Sequence, residues 1–336
     1  MEIEPIVPFD EPGGLVFVTQ LPGSAADFES GRRGFDAIRF PAQGPPLWVH
    51  LDRTKPRAQE WLRRESGIDP VAVESLVAEE TRPRAEEFAN GLLVILRGIN
   101  ANPGAEPDEL IAIRMWLDPT HVVTLRQFRF RTIAALRVRA QGGQAPTTAG
   151  AFLVAVATGL VAHLSPTIHN LEERLDDIEE EMLAHDRDDQ GRRSDLATLR
   201  RQAIAYRRHI VPQRDALAAL VHSSSPVLSA RDRAELRAVM EQCTRVAEGL
   251  EELRDRAAVT QDEMRARTEA RVGRTVYLLT LVATIALPLG FLTGLLGINV
   301  GGVPLAGSPW GFAAVCAVLL VLTGLQVWFF RRRGWL

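Results

Sequence analysis

Two stretches near the C-terminal end, Val276 to Ile298 and Trp310 to Phe330, contain no Asp, Glu, Lys, Arg or His. About 20 predominantly apolar helical residues cross a hydrocarbon core, so each stretch is long enough to span one. Lipid offers no hydrogen bonds to a bare backbone, which makes a helix the only form either stretch can take there. Up to Arg274 the composition is different, rich in Arg, Asp and Glu. The 336 residues therefore read as a water-soluble part followed by two transmembrane helices.

Charge sets the expected orientation. Arg265, Arg267, Arg271 and Arg274 precede the first span, Arg331, Arg332 and Arg333 follow the second, and residues 299–309 between them carry no charge. By the positive-inside rule both ends face the cytoplasm. The first thirty residues hold Pro5, Pro8, Pro12 and several acids, with no basic start leading into an apolar core, so no secretory signal is expected. Two cysteines, Cys243 and Cys316, make neither a disulfide framework nor a metal cluster. The formal net charge of −3 argues against a nucleic-acid partner. With no nucleophile beside a base, no phosphate-binding loop and no Gly-x-Ser-x-Gly, nothing points to an enzyme.

Residues 1–145 read as mixed α/β. Leu47 to Leu51, Leu92 to Leu96, Leu110 to Trp116 and Val122 to Leu125 have strand character, separated by the turn signals "NPG" at 102–104 and "DPT" at 118–120. Between the first two strands, "WLRRE" and "DPVAVESLVAEE" read as helices, the second starting at Asp69-Pro70. An antiparallel sheet flanked by helices is expected.

Residues 146–225 read as a helical bundle. Gly150 to Leu164 is apolar but short for a span, so a buried helix is expected there. Beyond it Ile168, Leu171, Leu175, Ile178 and Met182 recur at helical spacing. A second helix runs from Ser194 to Val221, and "HSSSP" makes a reversal that offers a serine as the next N-cap. In the following stalk, 226–275, Leu236, Val239, Cys243, Val246, Leu250, Leu253, Ala257 and Met264 form a seam that implies self-association. A helix running on into the first span would be on the order of 100 Å long.

The first span, 276–298, carries Pro288, Thr293 and the small-residue pair Gly290-x-x-x-Gly294, and it offers no Asp, Glu or His for a side-chain proton relay. It ends in "LLGINVGGVP". A soluble α/β domain, a stalk, a proline-bearing span, Gly297-Ile298-Asn299 at its outer end and a second span, 310–330, ending in basic residues together resemble the CorA family of divalent cation transporters. That family carries Gly-Met-Asn, or more broadly Gly-x-Asn, at this place, and "LPLGFLTGLLGIN" looks like its pore helix. "TRPR" at 81–84, "LRGIN" with "NPG", "IRMW" and "YRRHIVPQRDAL" at 206–217 look like the ZntB zinc-transporter branch. So does "GINVGGVP", where magnesium-type members carry an acidic loop.

The resemblance implies an α+β membrane protein, a funnel-shaped homopentamer in the lipid bilayer of a bacterial inner membrane. Its first spans would line a pore and its second would face lipid. Residues 299–309 would form a periplasmic loop and 331–336 a basic cytosolic tail. Gly297, Ile298 and Asn299 would capture a hydrated divalent metal ion. Val276, Leu279, Ala283, Leu287, Gly290 and Gly294 would face the pore, with Leu279 and Leu287 as apolar constrictions. Arg331, Arg332 and Arg333 would form a cytoplasmic ring facing the acidic stretch from Glu172 to Asp189. Zinc is the favoured cargo, with no resident cofactor. Two alternatives stand beside it: a magnesium, cobalt or nickel channel of the same family, and a membrane-anchored oligomeric scaffold or sensor.

Of the remaining candidates, His185 with Asp186 and Asp188 is a weak cytosolic metal site, while His163 and His169 read as bundle histidines. Arg207, Arg208 and Arg214 are expected to staple bundle helices to acids, and Arg82-Pro83-Arg84 to mark a domain junction. Tyr277, Trp310 and Trp328 are expected as interfacial anchors.

Overall fold

In the computed structural model the described residues are 13–23, 34–106, 108–184, 190–298, 304 and 307–335. They form two compact units, Met1–Gln261 and Asp262–Leu336.

The first unit is built on a six-stranded sheet: β1 (Leu15–Gln20), β2 (Leu47–Asp52), β3 (Arg84–Phe88), β4 (Gly91–Ile99), β5 (Leu110–Leu117) and β6 (His121–Arg126). Its spatial order is β1-β2-β6-β5-β4-β3. The four expected strands are present, and two edge strands join them. The sheet is mixed rather than antiparallel, because β2 pairs with β6 in parallel. A parallel neighbour needs a long crossover. Here the crossover contains α1 (Pro56–Arg64), α2 (Pro70–Val77) and the β3-β4-β5 meander. The helix start expected at Asp69 is real: its carboxylate accepts the Val71 N–H at 2.8 Å, and Pro70 follows at a position where no N–H is needed.

Both faces of the sheet are covered, which explains the nearly unbroken apolar runs of β4 and β5. On one face Val49, Leu51, Leu93, Ile95, Trp116, Val123 and Leu125 pack with Trp61, Leu62 and Leu76 of α1 and α2. On the other, Trp48 meets Phe152 edge-on at 4.8 Å, and a Cβ on Gly98 would stand 2.6 Å from the Leu160 side chain. Phe152 and Leu160 belong to α4 (Ala149–Ala184), which follows α3 (Arg131–Gln141). The apolar start of α4 is long and apolar enough to cross a membrane, yet half of it is buried in this unit. It serves as the cover of the sheet as well as a bundle helix.

α5 (Gln190–His222) returns along α4, and α6 (Ala230–Leu296) follows. The reversal corrects two expectations. The "HSSSP" serines do not cap α6: Ser223 and Ser224 hydroxyls donate to the Glu87 carboxylate of β3 at 2.8 and 3.2 Å. The cap is Ser229, whose hydroxyl and N–H both meet Asp232, while the Asp232 N–H returns to Ser229 Oγ. The seam from Leu236 to Ala257 is buried inside a single chain. Cys243 Sγ reaches the Ile210 carbonyl of α5, and Arg256 binds Asp176 and Glu179 of α4, each at 2.6 Å. That stripe is filled by the chain's own helices and does not itself call for a second copy.

The second unit holds the outer part of α6 and α7 (Gly311–Arg332). Each of these two helices has a fully unburied window long and apolar enough to cross a membrane.

Candidate functional site

A lone helix in solvent leaves all its faces about equally open, so periodic shading reports a neighbour. In the outer part of α6, Leu281, Ile285, Pro288, Leu289, Leu292 and Leu296 are half-buried. At 3.6 residues per turn they fall on one side of the helix, within an arc of roughly 100°. In α7 the half-buried set, with Gly311, Val315, Leu322 and Gln326, also favours one side and ends at buried Phe330.

The residues expected to face a pore are Val276, Leu279, Ala283, Leu287, Gly290 and Gly294, and all six are exposed. They lie within an arc of roughly 80°, centred opposite the shaded side. Leu287 keeps 75% of its surface and Leu279 65%, so two large apolar side chains stand free along this line. Among the described residues their unit therefore leaves an apolar, uncharged stripe unpartnered. Gly290 and Gly294 belong to it: a Cβ at either would meet nothing within 4 Å. The small-residue pair is thus not a contact between α6 and α7 of one chain.

The polar groups near the stripe are mostly turned inward. Thr280, Thr284 and Thr293 donate their hydroxyls to the carbonyls of Val276, Thr280 and Leu289 at 2.8, 2.7 and 3.0 Å. Each satisfies its donor within its own helix, the usual way a threonine sits in an apolar span. Pro288 cannot donate to the Thr284 carbonyl, so the helix ladder is missing one rung there. α6 ends where the Gly297 N–H donates to both Thr293 and Gly294 carbonyls at 3.0 and 3.2 Å. A Cβ on Gly297 would stand 3.1 Å from the Thr293 oxygen, a tight fit that favours glycine at this turn. Ile298 is exposed, and Asn299 lies outside the described residues. His185, Asp186 and Asp188 lie outside them as well. Among the described residues there is no group of three or more His, Cys, Asp or Glu able to hold a metal.

The far end of α7 is a capped helix end rather than a free tail. The helix runs to Arg332, two residues beyond the expected span, and closes in a Schellman motif. The Gly334 N–H, with φ at +70°, donates to the Arg331 carbonyl at 3.1 Å, and the Trp335 N–H donates to the Phe330 carbonyl at 2.9 Å. Trp335 stacks on Phe330 with 5.8 Å between ring centroids, and the Tyr277 hydroxyl of α6 donates to the Trp335 carbonyl. Arg332 and Arg333 lie over the rings of Trp328 and Phe329, each at 5.3 Å. Tyr277 and Trp328 therefore have named partners, whereas Trp310 stands exposed just before α7.

Sequence reasoning passed over Gln326, the one amide within the second span. Its Oε1 is buried on the shaded side of α7 without a hydrogen-bond partner. A polar residue amid Leu and Val was the available signal.

The acids from Glu172 onward are partly spent inside the bundle. Asp176 and Glu179 hold Arg256, and Glu172 and Glu173 flank His169 at 3.6 and 3.4 Å. His163 Nδ1 sits against the Gly159 carbonyl of its own helix. Of the three arginines expected to staple helices, only Arg207 does so, pairing with Glu251 of α6 at 3.3 Å. Arg214 pairs with its neighbour Asp215, and Arg208 forms no ion pair among the described residues.

A family model described as "CorA-like Mg2+ transporter protein" matches residues 45–332. The divalent cation transporter CmaX of Pseudomonas aeruginosa is 35% identical over 324 residues, covering 96% of this chain and 97% of that protein. The zinc transport protein ZntB of Pectobacterium carotovorum is 33% identical over 291 residues, covering 87% and 88%. The structure of full-length CmaX superposes with a TM-score of 0.83 at 35% identity, covering 97% and 99% of the two chains. The CorA magnesium transporter from Methanocaldococcus jannaschii shares the fold, with a TM-score of 0.74 at 21% identity and coverage of 90% and 94%.

Proposed function

The chain belongs to the CorA-like Mg2+ transporter family of divalent cation transporters, and from that premise we propose that α6 lines its cation path and that zinc is its favoured cargo. The observation that carries the path is the uncharged stripe Val276, Leu279, Ala283, Leu287, Gly290 and Gly294, left open opposite the shaded side of the same helix. Soluble proteins rarely leave such a stripe bare. Five copies meeting along it would enclose a channel, with α7 turned to lipid.

The chemistry of that channel follows from what it lacks. Without Asp, Glu, His or Cys it offers no charged or soft ligand to offset the cost of stripping water from a divalent ion. The workable route is to pass the ion with its water. A ring of Asn299 amide oxygens beside the Gly297 carbonyls would accept hydrogen bonds from that water shell at the outer mouth. The C-terminal end of α6 adds the negative pole of a helix dipole at the same place, which favours a cation. Further in, Leu279 and Leu287 would close the path by dewetting. Arg331, Arg332 and Arg333 would form a basic collar at the cytoplasmic mouth, an electrostatic barrier for cations. The arginines before the first span and after the second support a reading in which both ends of the chain face the cytoplasm of a bacterial inner membrane, with 299–309 outside.

Zinc comes from the kinship with ZntB rather than from the pore. The test is metal flux into proteoliposomes holding the purified chain, comparing zinc, magnesium, cobalt and nickel, with Asn299→Ala as control. Zinc-led flux that falls at least tenfold in the variant supports the whole reading. Magnesium-led flux keeps the path and overturns the cargo, and flux indifferent to Asn299 overturns the mouth.

A further inference from the structure

β3 begins only at Arg84, although its partner strand β4 runs on beside the residues that precede it. The register pairs Arg84 with Ile95, and two residues further it would set Arg82 opposite Arg97. Pro83 has no N–H to continue the ladder, and like charges facing each other across two strands are unfavourable. The Arg97 N–H, left without a strand, donates instead to Gln213 Oε1 of α5 at 2.6 Å. The Arg97 guanidinium stays at the junction, donating to the carbonyls of Leu110 at 2.6 Å and Thr81 at 2.8 Å. Its Nε is buried and has no partner.

One turn before Gln213 on α5 lies His209, whose Nδ1 is also buried without a partner, and beside it stands exposed Arg208. Burial, then the charges of Arg97, Arg208 and Arg82, push the His209 imidazole down to about 4. The charges of Arg97, Arg208 and Arg82 thus all reach the His209 imidazole. Glu80 is the carboxylate that acts on Arg97, and neither Arg82 nor Arg208 forms an ion pair among the described residues. The strand break thus carries cationic side chains together with two buried nitrogens, Arg97 Nε and His209 Nδ1, that lack hydrogen-bond partners.

We propose that Arg82, Arg97, Arg208 and His209, at the junction of β3, β4 and α5, form a binding site for a soluble phosphate-bearing anion. Arg82 and Arg208, both exposed and without an ion pair among the described residues, offer two positive charges to a phosphate dianion near neutral pH. Guanidinium forks suit phosphate oxygens in pairs, and His209 supplies a further N–H at the inner end. The formal net charge of −3 speaks against a polynucleotide as the occupant. The site is separate from the spans and stands whether or not the cargo is zinc.

The experiment follows melting of the full-length chain in detergent, with inorganic phosphate or AMP added against sodium chloride at matched ionic strength. At tenfold above its dissociation constant a ligand of this kind raises the melting temperature by about 3 °C. The Arg82→Gln, Arg208→Gln double variant is expected to lose that shift. It is also expected to melt no lower than the parent in phosphate-free, low-salt buffer, because removing like charges relieves repulsion. A larger shift with AMP names a phosphate ester as the source, and an equal one names free phosphate. A double variant that melts lower without phosphate, or that keeps the full phosphate shift, would overturn the site. So would a chloride control that matches phosphate.

Discussion

His50 is buried in the sheet with Nδ1 2.7 Å from Thr124 Oγ1, a hydroxyl that also accepts the Trp48 indole N–H at 2.9 Å. Burial, then the charges of Arg126 and Arg137, push its imidazole well below the ordinary value. His209 is pushed down to about 4. An unfolded histidine titrates near 6.5, so below that pH the unfolded chain takes up protons that the folded chain refuses. Their stabilisation is complete above about pH 7 and is lost as the pH falls. For His209 the loss runs from about 6.5 down to about 4. Melting of the full chain should therefore shift down steadily between pH 7 and pH 5, and His209→Gln should flatten that slope. An unchanged slope in the variant would mean that His209 takes up its proton in the fold as readily as in the unfolded chain. Asp118 acts lower on the scale. Burial alone would raise its carboxyl, but hydrogen bonds from His121, Thr120 and Trp116 outweigh that and hold it below the usual range. Its contribution is present above the unfolded value of about 4 and lost as the pH falls further.

Two elements carry the argument about transport, and each can be tested by itself. The Schellman closure of α7 seats Trp335 on Phe330 and offers its carbonyl to Tyr277 of α6. Gly334→Ala forces a Cβ into a left-handed conformation and should cost about 1 kcal/mol. Tyr277→Phe removes one hydrogen bond and should cost about the same. Both are read as lowered melting of the purified chain, and additive losses would show that cap and hydrogen bond act separately. The Leu287 constriction makes a different prediction: Leu287→Ser should raise resting metal leak several-fold in proteoliposomes. A variant no leakier than the parent would remove dewetting from the account.

At this scale the sequence was legible where period and composition agree. The four central strands, the Asp69 start of α2, and both apolar spans were visible because each is uniform over its length. β3, Arg84–Phe88, was hidden because an edge strand with one open face tolerates charge and reads as a loop. The parallel pairing of β2 with β6 depends on contacts far apart in the chain, which no local pattern encodes. The stalk seam was correctly apolar and wrongly assigned, since a heptad stripe looks the same whether the chain or a second copy fills it. Arg97 and His209 could not be brought together from sequence, because a strand break and a glutamine from another helix create their neighbourhood.

In the whole molecule a water-soluble unit, whose apolar seams are largely filled from within, continues in the chain into a membrane unit whose principal stripe is not. That asymmetry is why the second unit is read as the part that meets other copies, and it makes the central claim measurable. Single cysteines would replace Leu287 and Ile285 in turn, on a background lacking Cys316, the cysteine in α7. A charged, water-soluble thiol reagent would then be added while zinc flux into proteoliposomes is recorded. The account predicts block through position 287, on the open stripe, and no block through position 285, on the shaded side two residues away. Equal block at both positions, or block at 285 alone, would contradict the claim that this face of α6 lines the cation path.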